Sequence, residues 1–251
     1  MPSAAAGPSH KEIFDAYVWL WVASHVLQYQ HDSYMIPHRY WLYIQILFFA
    51  AAMFRPSRFN VSAAFLVRTA MYLARAPLLW ESNIWAVIVD LIFAGACTLK
   101  PLDQVVRTCS DQIRIHMGLF YIGAGFWKIN SSFLSPRVSC GSIYVASILY
   151  FLPEFLTPHW LVGPALATGG PITVVGEMAL GVGIMSSSRT LRHMGIILAA
   201  VLHYMIAIAP YPNQVPEFGV FCITRMFMVM PEAWTGDTTQ TRWTSHVAVD
   251  M

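Results

Sequence analysis

Apolar stretches follow one another along this chain from about residue 13 to residue 230, separated by short polar breaks. Spanning a bilayer takes about 20 residues of apolar helix. On that measure the candidate spans are 13–29, 38–54, 60–77, 83–99, 112–129, 141–157, 172–187, 191–210 and 217–231. The breaks carry helix-stopping chemistry, since proline removes a backbone donor and fixes φ. Arg55-Pro56-Ser57-Arg58, Lys100-Pro101, Ser135-Pro136-Arg137, Gly163-Pro164, Gly169-Gly170-Pro171 and Pro210-Tyr211-Pro212 are the clearest. The pattern predicts an all-α fold, a polytopic transmembrane bundle of seven to nine spans, with no internal repeat. It divides the chain into a polar segment 1–12, a helical domain 13–231 and a polar tail 232–251.

Composition sharpens that picture. Of 251 residues, 57% are hydrophobic and 11% charged, where ordinary soluble domains carry about 25% charged residues. Mean hydropathy is +0.53. So few charges do not cover so much apolar surface in water, and lipid is the solvent that resolves the mismatch. A net charge of +2 without a basic run argues against nucleic acid as a partner. The expected partners are the bilayer and a lipid-soluble small molecule, in a multi-pass membrane protein whose membrane the sequence does not name. The N-terminal segment lacks the basic lead of a cleaved signal, and Asp15 and His25 interrupt the stretch after it. Lys and Arg divide almost evenly between alternate loops, so the positive-inside rule assigns no orientation.

Cys97, Cys109, Cys140 and Cys222 form no CxxC pair and no zinc spacing, and no metal site is expected. Cys97 and Cys222 read as small buried thiols. If the fifth span crosses the bilayer, Cys109 and Cys140 lie at its opposite ends and cannot pair.

An ionisable residue at membrane depth is a functional hypothesis by default. The apolar stretches hold Asp15, His25, Arg68, Asp90, Arg114, His116, Lys128, Glu177, His203 and Arg225. Intramembrane polar groups also act as packing glue, and Asp90 with Arg68 reads as a structural pair. The fifth span has the sharpest pattern. Arg114, Tyr121 and Lys128 recur every seven residues on one helical face, with Gly118, Gly123 and Gly125 permitting close approach. Two readings of that ladder stand side by side. It lines a polar cleft, or Arg114 and Lys128 snorkel to opposite interfaces. Glu177 and His203, both distant from loops, need partners from other helices, and Lys128 is one.

At 121–133 the chain reads YIGAGFWKINSSF. This resembles the signature of the HTTM domain, the membrane domain shared with vitamin K-dependent gamma-carboxylase, through Ala124, Gly125, Lys128, Ile129, Asn130 and Phe133. The likeness continues loosely through GEMALGVGIMSSSRTLRHMGIILAAVLHYM, an acidic helix, an arginine-bearing turn and a helix with a central histidine. It covers about residues 105–230. The resemblance implies that Lys128 corresponds to the lysine base that deprotonates a hydroquinone, with His203 facing the quinone pocket. Lys128 and His203 are then the catalytic candidates, and Arg114, Tyr121, Trp127, Asn130 and Glu177 the substrate-lining ones. A quinone or hydroquinone and oxygen are the implied small molecules. The sequence departs from the family at Ile206, where the carboxylase has asparagine, and at Trp127, where it has a second lysine. A region that binds a protein substrate's propeptide finds no room here, which argues against peptide carboxylation. The function expected is that of a vitamin K carboxylase/epoxidase-like oxidoreductase or lyase; the alternative is a non-catalytic assembly subunit or transporter holding the same residues as structural pairs.

Overall fold

The computed structural model describes residues 8–35, 39–74, 81–208 and 216–229, and every regular element among them is helical. In chain order these are α1 (His10–Met35), α2 (Arg39–Phe54), α3 (Arg58–Leu73), α4 (Glu81–Leu99), α5 (Leu102–Trp127), α6 (Ser131–Leu134), α7 (Cys140–Phe151), α8 (His159–Met185), α9 (Arg189–Ile208) and α10 (Pro216–Met228). A single 3-10 turn, Glu154–Leu156, joins α7 to α8. Each predicted span has one helix.

Local chemistry explains several starts. Ser9 and Glu12 form a capping box: Glu12 Oε2 accepts from the Ser9 amide at 2.7 Å, and Ser9 Oγ accepts from the Glu12 amide at 3.3 Å. The Ser9 amide and hydroxyl, both donating to Oε2, hold the exposed Glu12 carboxyl below its ordinary range. Ser57 caps α3 by accepting from the Asn60 amide, and Ser139 caps α7 by accepting from the Gly141 amide.

The largest departures from the predicted boundaries are the starts of α5 and α8. α5 begins ahead of the expected residue 112, because Asp103, Arg107 and Asp111 interrupt hydropathy without interrupting the helix. The buried positions Val105, Val106, Cys109, Ile113, Met117 and Tyr121 keep helical spacing throughout. α8 runs unbroken from His159 through Pro164 and Pro171, where the sequence predicted a break. Hydroxyls donate to backbone carbonyls around those prolines: Ser142 to Leu166, Thr168 to Pro164 and Thr173 to Gly169. Such side chains let a proline persist inside an apolar helix.

α8 and α9 are long and apolar enough to cross a membrane; α2, α4, α7 and α10 contain shorter apolar helical stretches. The main core gathers Phe14, Tyr17, Trp21, Phe93, Ile113 and Ile184 from α1, α4, α5 and α8. Glycines bring α5 against α8. A Cβ on Gly125 would lie 3.0 Å from the Val174 carbonyl oxygen, and one on Gly181 would lie 2.5 Å from the Gly118 carbonyl oxygen. α9 then packs on α8 with Gly195 against Gly183 and Ile184. These close crossings position the polar residues described next.

Candidate functional site

Lys128 is the C-cap of α5, its amide bonded back to the Gly125 and Phe126 carbonyls. Its side chain crosses to α8, where Nζ donates to Glu177 Oε1 at 2.8 Å and Oε2 at 2.6 Å. The lysine side chain is 29% exposed and the glutamate 12%. Glu177 lies about two turns inside the C-terminal end of α8. The amine is therefore drawn to a carboxylate within an apolar helix rather than extended beyond the helix ends. Phe133 faces the same amine, its ring centroid 5.8 Å away.

Two turns earlier on the same face of α5, the buried Tyr121 hydroxyl shares a hydrogen bond of 2.6 Å with Nε2 of buried His203 on α9. Four of the sequence candidates thus form two pairs, Lys128–Glu177 between α5 and α8 and Tyr121–His203 between α5 and α9, about 10.5 Å apart along α5 at about 1.5 Å per residue. Of the two groups that needed partners, Glu177 has Lys128 and His203 has Tyr121.

The remaining candidates lie elsewhere. Arg114 is buried at the far end of the ladder, about 21 Å along the helix from Lys128 at about 1.5 Å per residue. Its Nη1 donates to the Ser186 carbonyl at 3.4 Å and Nη2 lies 3.6 Å from Asp111. With Arg192, which donates to the same carbonyl at 3.3 Å, it meets the negative C-terminal end of α8. Trp127 is 75% exposed. Asn130 is exposed as the N-cap of α6, accepting from the Phe133 amide at 2.9 Å and donating to the Trp127 carbonyl at 3.0 Å. A small apolar crevice lies between α4, α5 and α10, lined by Trp85, Met117, Phe120, Phe221 and Cys222 with Arg225. Lys128 is not among its lining residues.

A second polar cluster centres on Asp90. The Trp21 indole donates to Oδ1 at 2.8 Å, Arg225 Nη2 donates to Oδ1 at 2.9 Å, and His25 Nε2 lies 3.0 Å from Oδ1. Arg68 Nε is 3.2 Å from Oδ2, as the Asp90–Arg68 pairing anticipated, and Arg68 also donates to the Tyr72 hydroxyl. All five side chains are buried. The sequence reading placed His25 and Arg225 among the intramembrane groups without joining them to Asp90, and it did not single out Trp21. An indole in an apolar run carries no signal of its hydrogen-bond partner.

All four cysteines are free, Cys140 exposed and the others buried. Among the described residues no group of three or more His, Cys, Asp or Glu side chains could hold a metal ion. Comparisons with protein-family models, curated proteins and solved structures find no match to this chain.

Proposed function

We propose that this chain is a multi-pass membrane protein of seven to nine spans, resembling the HTTM domain, that acts on a quinone-like or other lipid-soluble substrate with Lys128 as general base. The observation that supports this most is that α5 carries two polar cross-helix pairs, Lys128–Glu177 to α8 and Tyr121–His203 to α9, along an apolar stretch of α8. Polar groups so placed are the usual mark of intramembrane chemistry.

The chemistry follows from the pairing. A lysine held as an ammonium by a carboxylate cannot accept a proton, so the pair works as a unit. Excluding water raises the cost of both charges. Transfer of the shared proton to Glu177 leaves a neutral amine, which then takes the hydroxyl proton of a quinol. In this reading Tyr121 and His203, joined to each other by a hydrogen bond, exchange that bond for one to the substrate's oxygen. His203 is thereby a catalytic candidate, and Tyr121 and Glu177 are substrate-lining ones.

The alternative is a non-catalytic subunit or transporter, in which Lys128–Glu177 only joins α5 to α8. The full cross-helix pairing of both couples also suits that reading. Quinol-dependent oxygen uptake by the detergent-purified protein separates the two. It is expected in wild type and lost by at least about a hundredfold in Lys128→Met and Lys128→Arg, the usual scale for general-base catalysis. Absence of quinol binding and turnover in wild type, with both variants folded, would leave only the structural role.

A further inference from the structure

Helix α8 has two partners laid end to end along it. Gly118 of α5 meets Gly181 and Met185, and Gly125 meets Val174 and Met178. Gly141 of α7 abuts Gly169 and Gly170, and Ser142 Oγ donates to the Leu166 carbonyl at 2.8 Å. As the chain advances from Gly118 to Ser142, its partner on α8 steps back from Met185 to Leu166 without reversal. α5 and α7 therefore follow one line, antiparallel to α8, with residues 128–139 interrupting it.

The interruption lies beside the interior of α8. The Phe133 carbonyl and the Ser139 hydroxyl sit over Gly170, and Lys128 holds Glu177. Those α8 residues are about three turns from its N-terminal end and two from its C-terminal end. The interruption exposes the polar side chains of Asn130, Ser131, Ser132 and Arg137 alongside the apolar Ile129, Leu134 and Val138, with Cys140 at its far edge. α6 is only four residues long; most amides from 128 to 139 bond locally, while those of Ser131, Ser132 and Arg137 have no protein partner among the described residues. Where α8 crosses a bilayer, such backbone does not face lipid, because unsatisfied amides and carbonyls in hydrocarbon cost several kcal/mol each. It must be covered by protein or reached by water. On α8 at the same level, Ile172 and Val175 present bare apolar side chains, 64% and 67% exposed, as a lipid-facing surface does.

We propose that the interruption between α5 and α7 is a water-filled vestibule that reaches Lys128 from one face of the membrane. Broken helices with polar backbone at mid-depth serve this purpose in membrane proteins generally. The vestibule gives the Lys128–Glu177 pair a route for protons and gives the polar end of an amphipathic substrate a place to sit. The inference rests on the membrane-spanning part of the reading above and not on Lys128 acting as a base.

Cys140 is a native reporter, exposed where Cys97, Cys109 and Cys222 are buried. The experiment applies a charged, membrane-impermeant methanethiosulfonate to both faces of freeze–thawed membrane vesicles. It compares wild type, Cys140→Ser, and Cys140→Ser combined with Val175→Cys. Cys140 is expected to react about tenfold or more faster than a cysteine at 175, because the reactive thiolate forms only where water reaches the sulfur. Silence at both positions overturns the vestibule and means that lipid or another protein covers the break. Fast reaction at both means that no bilayer surrounds this level of α8, so the spanning reading falls and takes the vestibule with it. Added short-chain quinol separates the remaining question. Labelling of Cys140 that ignores quinol supports the vestibule while counting against quinol as the substrate.

Discussion

Asp90 shows what one side chain can be asked to do in an apolar interior. Two buried guanidiniums, those of Arg68 and Arg225, meet this single carboxylate, and Trp21 and His25 complete its surroundings. Removing one partner of a buried ion pair leaves the other charge uncompensated, at a cost of about 3–5 kcal/mol. Asp90→Asn is nearly isosteric, so its effect reports charge rather than volume. It is expected to destabilise the protein by that amount in thermal unfolding of detergent-purified material. The exposed Lys11–Asp15 pair makes the control, since surface pairs contribute little, and Lys11→Ala is expected to leave the melting temperature unchanged. Equal melting temperatures for Asp90→Asn and wild type would remove Asp90 from the centre of the fold. At this scale the sequence was informative about which residues matter and silent about who meets whom. Lys128, Glu177, Tyr121 and His203 were each nameable from their depth in apolar stretches and from the 121–133 motif. That Tyr121 rather than Lys128 would bind His203 depends on the rotation of α9 about its axis, which no spacing within one helix encodes. Trp127 and Asn130 were drawn in by adjacency to Lys128; the helix ends there, so one points outward and the other caps the next turn.

Between elements, the closest seam is that of α5 on α8. Gly118 and Gly181 face each other so nearly that a Cβ on Gly181 meets both the Gly118 carbonyl and the Ile122 side chain. Backbone cannot yield as a flexible side chain can, and overpacking of this kind costs about 1–3 kcal/mol. Gly181→Leu is expected to lower stability by at least that much and to weaken the Lys128–Glu177 contact, because both lie on the same pair of helices. Gly176 is the internal control: a Cβ there meets nothing within 4 Å, so Gly176→Ala is expected to be neutral or stabilising in the same melts, helix propensity favouring alanine by about 1 kcal/mol. A Gly181→Leu protein as stable as wild type would mean that the two helices do not cross here. Helix identity and order were legible from apolar runs and proline-bearing breaks. The extent of α8 was not, because Pro164 and Pro171 signal a stop in isolation, and the hydroxyls that accommodate them come partly from α7 through Ser142. Likewise the glycines of 118–125 were recognisable as a close-approach face, while their counterpart Gly181 was hidden in a stretch where any small residue would look the same.

Taken as a whole, the molecule exposes large apolar side chains on many of its helices. Tyr150, Phe155, Trp160, Val175 and Val201 are each more than half exposed, while the charged residues Asp90, Arg68 and Arg225 are inside. A chain folding in water reverses that arrangement, since exposed apolar patches beyond a few hundred Å² mark interaction surfaces. α8 and α9 are long enough to cross a bilayer by themselves, and the shorter apolar helices share their composition. The aromatic corner where α7 turns into α8, with Tyr150, Phe151, Phe155 and Trp160 beside Glu154 and His159, has the composition of a membrane–water boundary. Washing membranes with alkaline carbonate is therefore expected to leave the full-length protein in the pellet, whereas detergent releases it. Glu154→Cys, at that corner and in a Cys140→Ser background, is expected to label with an impermeant reagent from one side of sealed vesicles only. Release by carbonate, or equal labelling of residue 154 from both sides of intact vesicles, would mean that the apolar surface is covered by other proteins. The paired Lys128 and Glu177 would then have to be read as an ordinary half-buried ion pair.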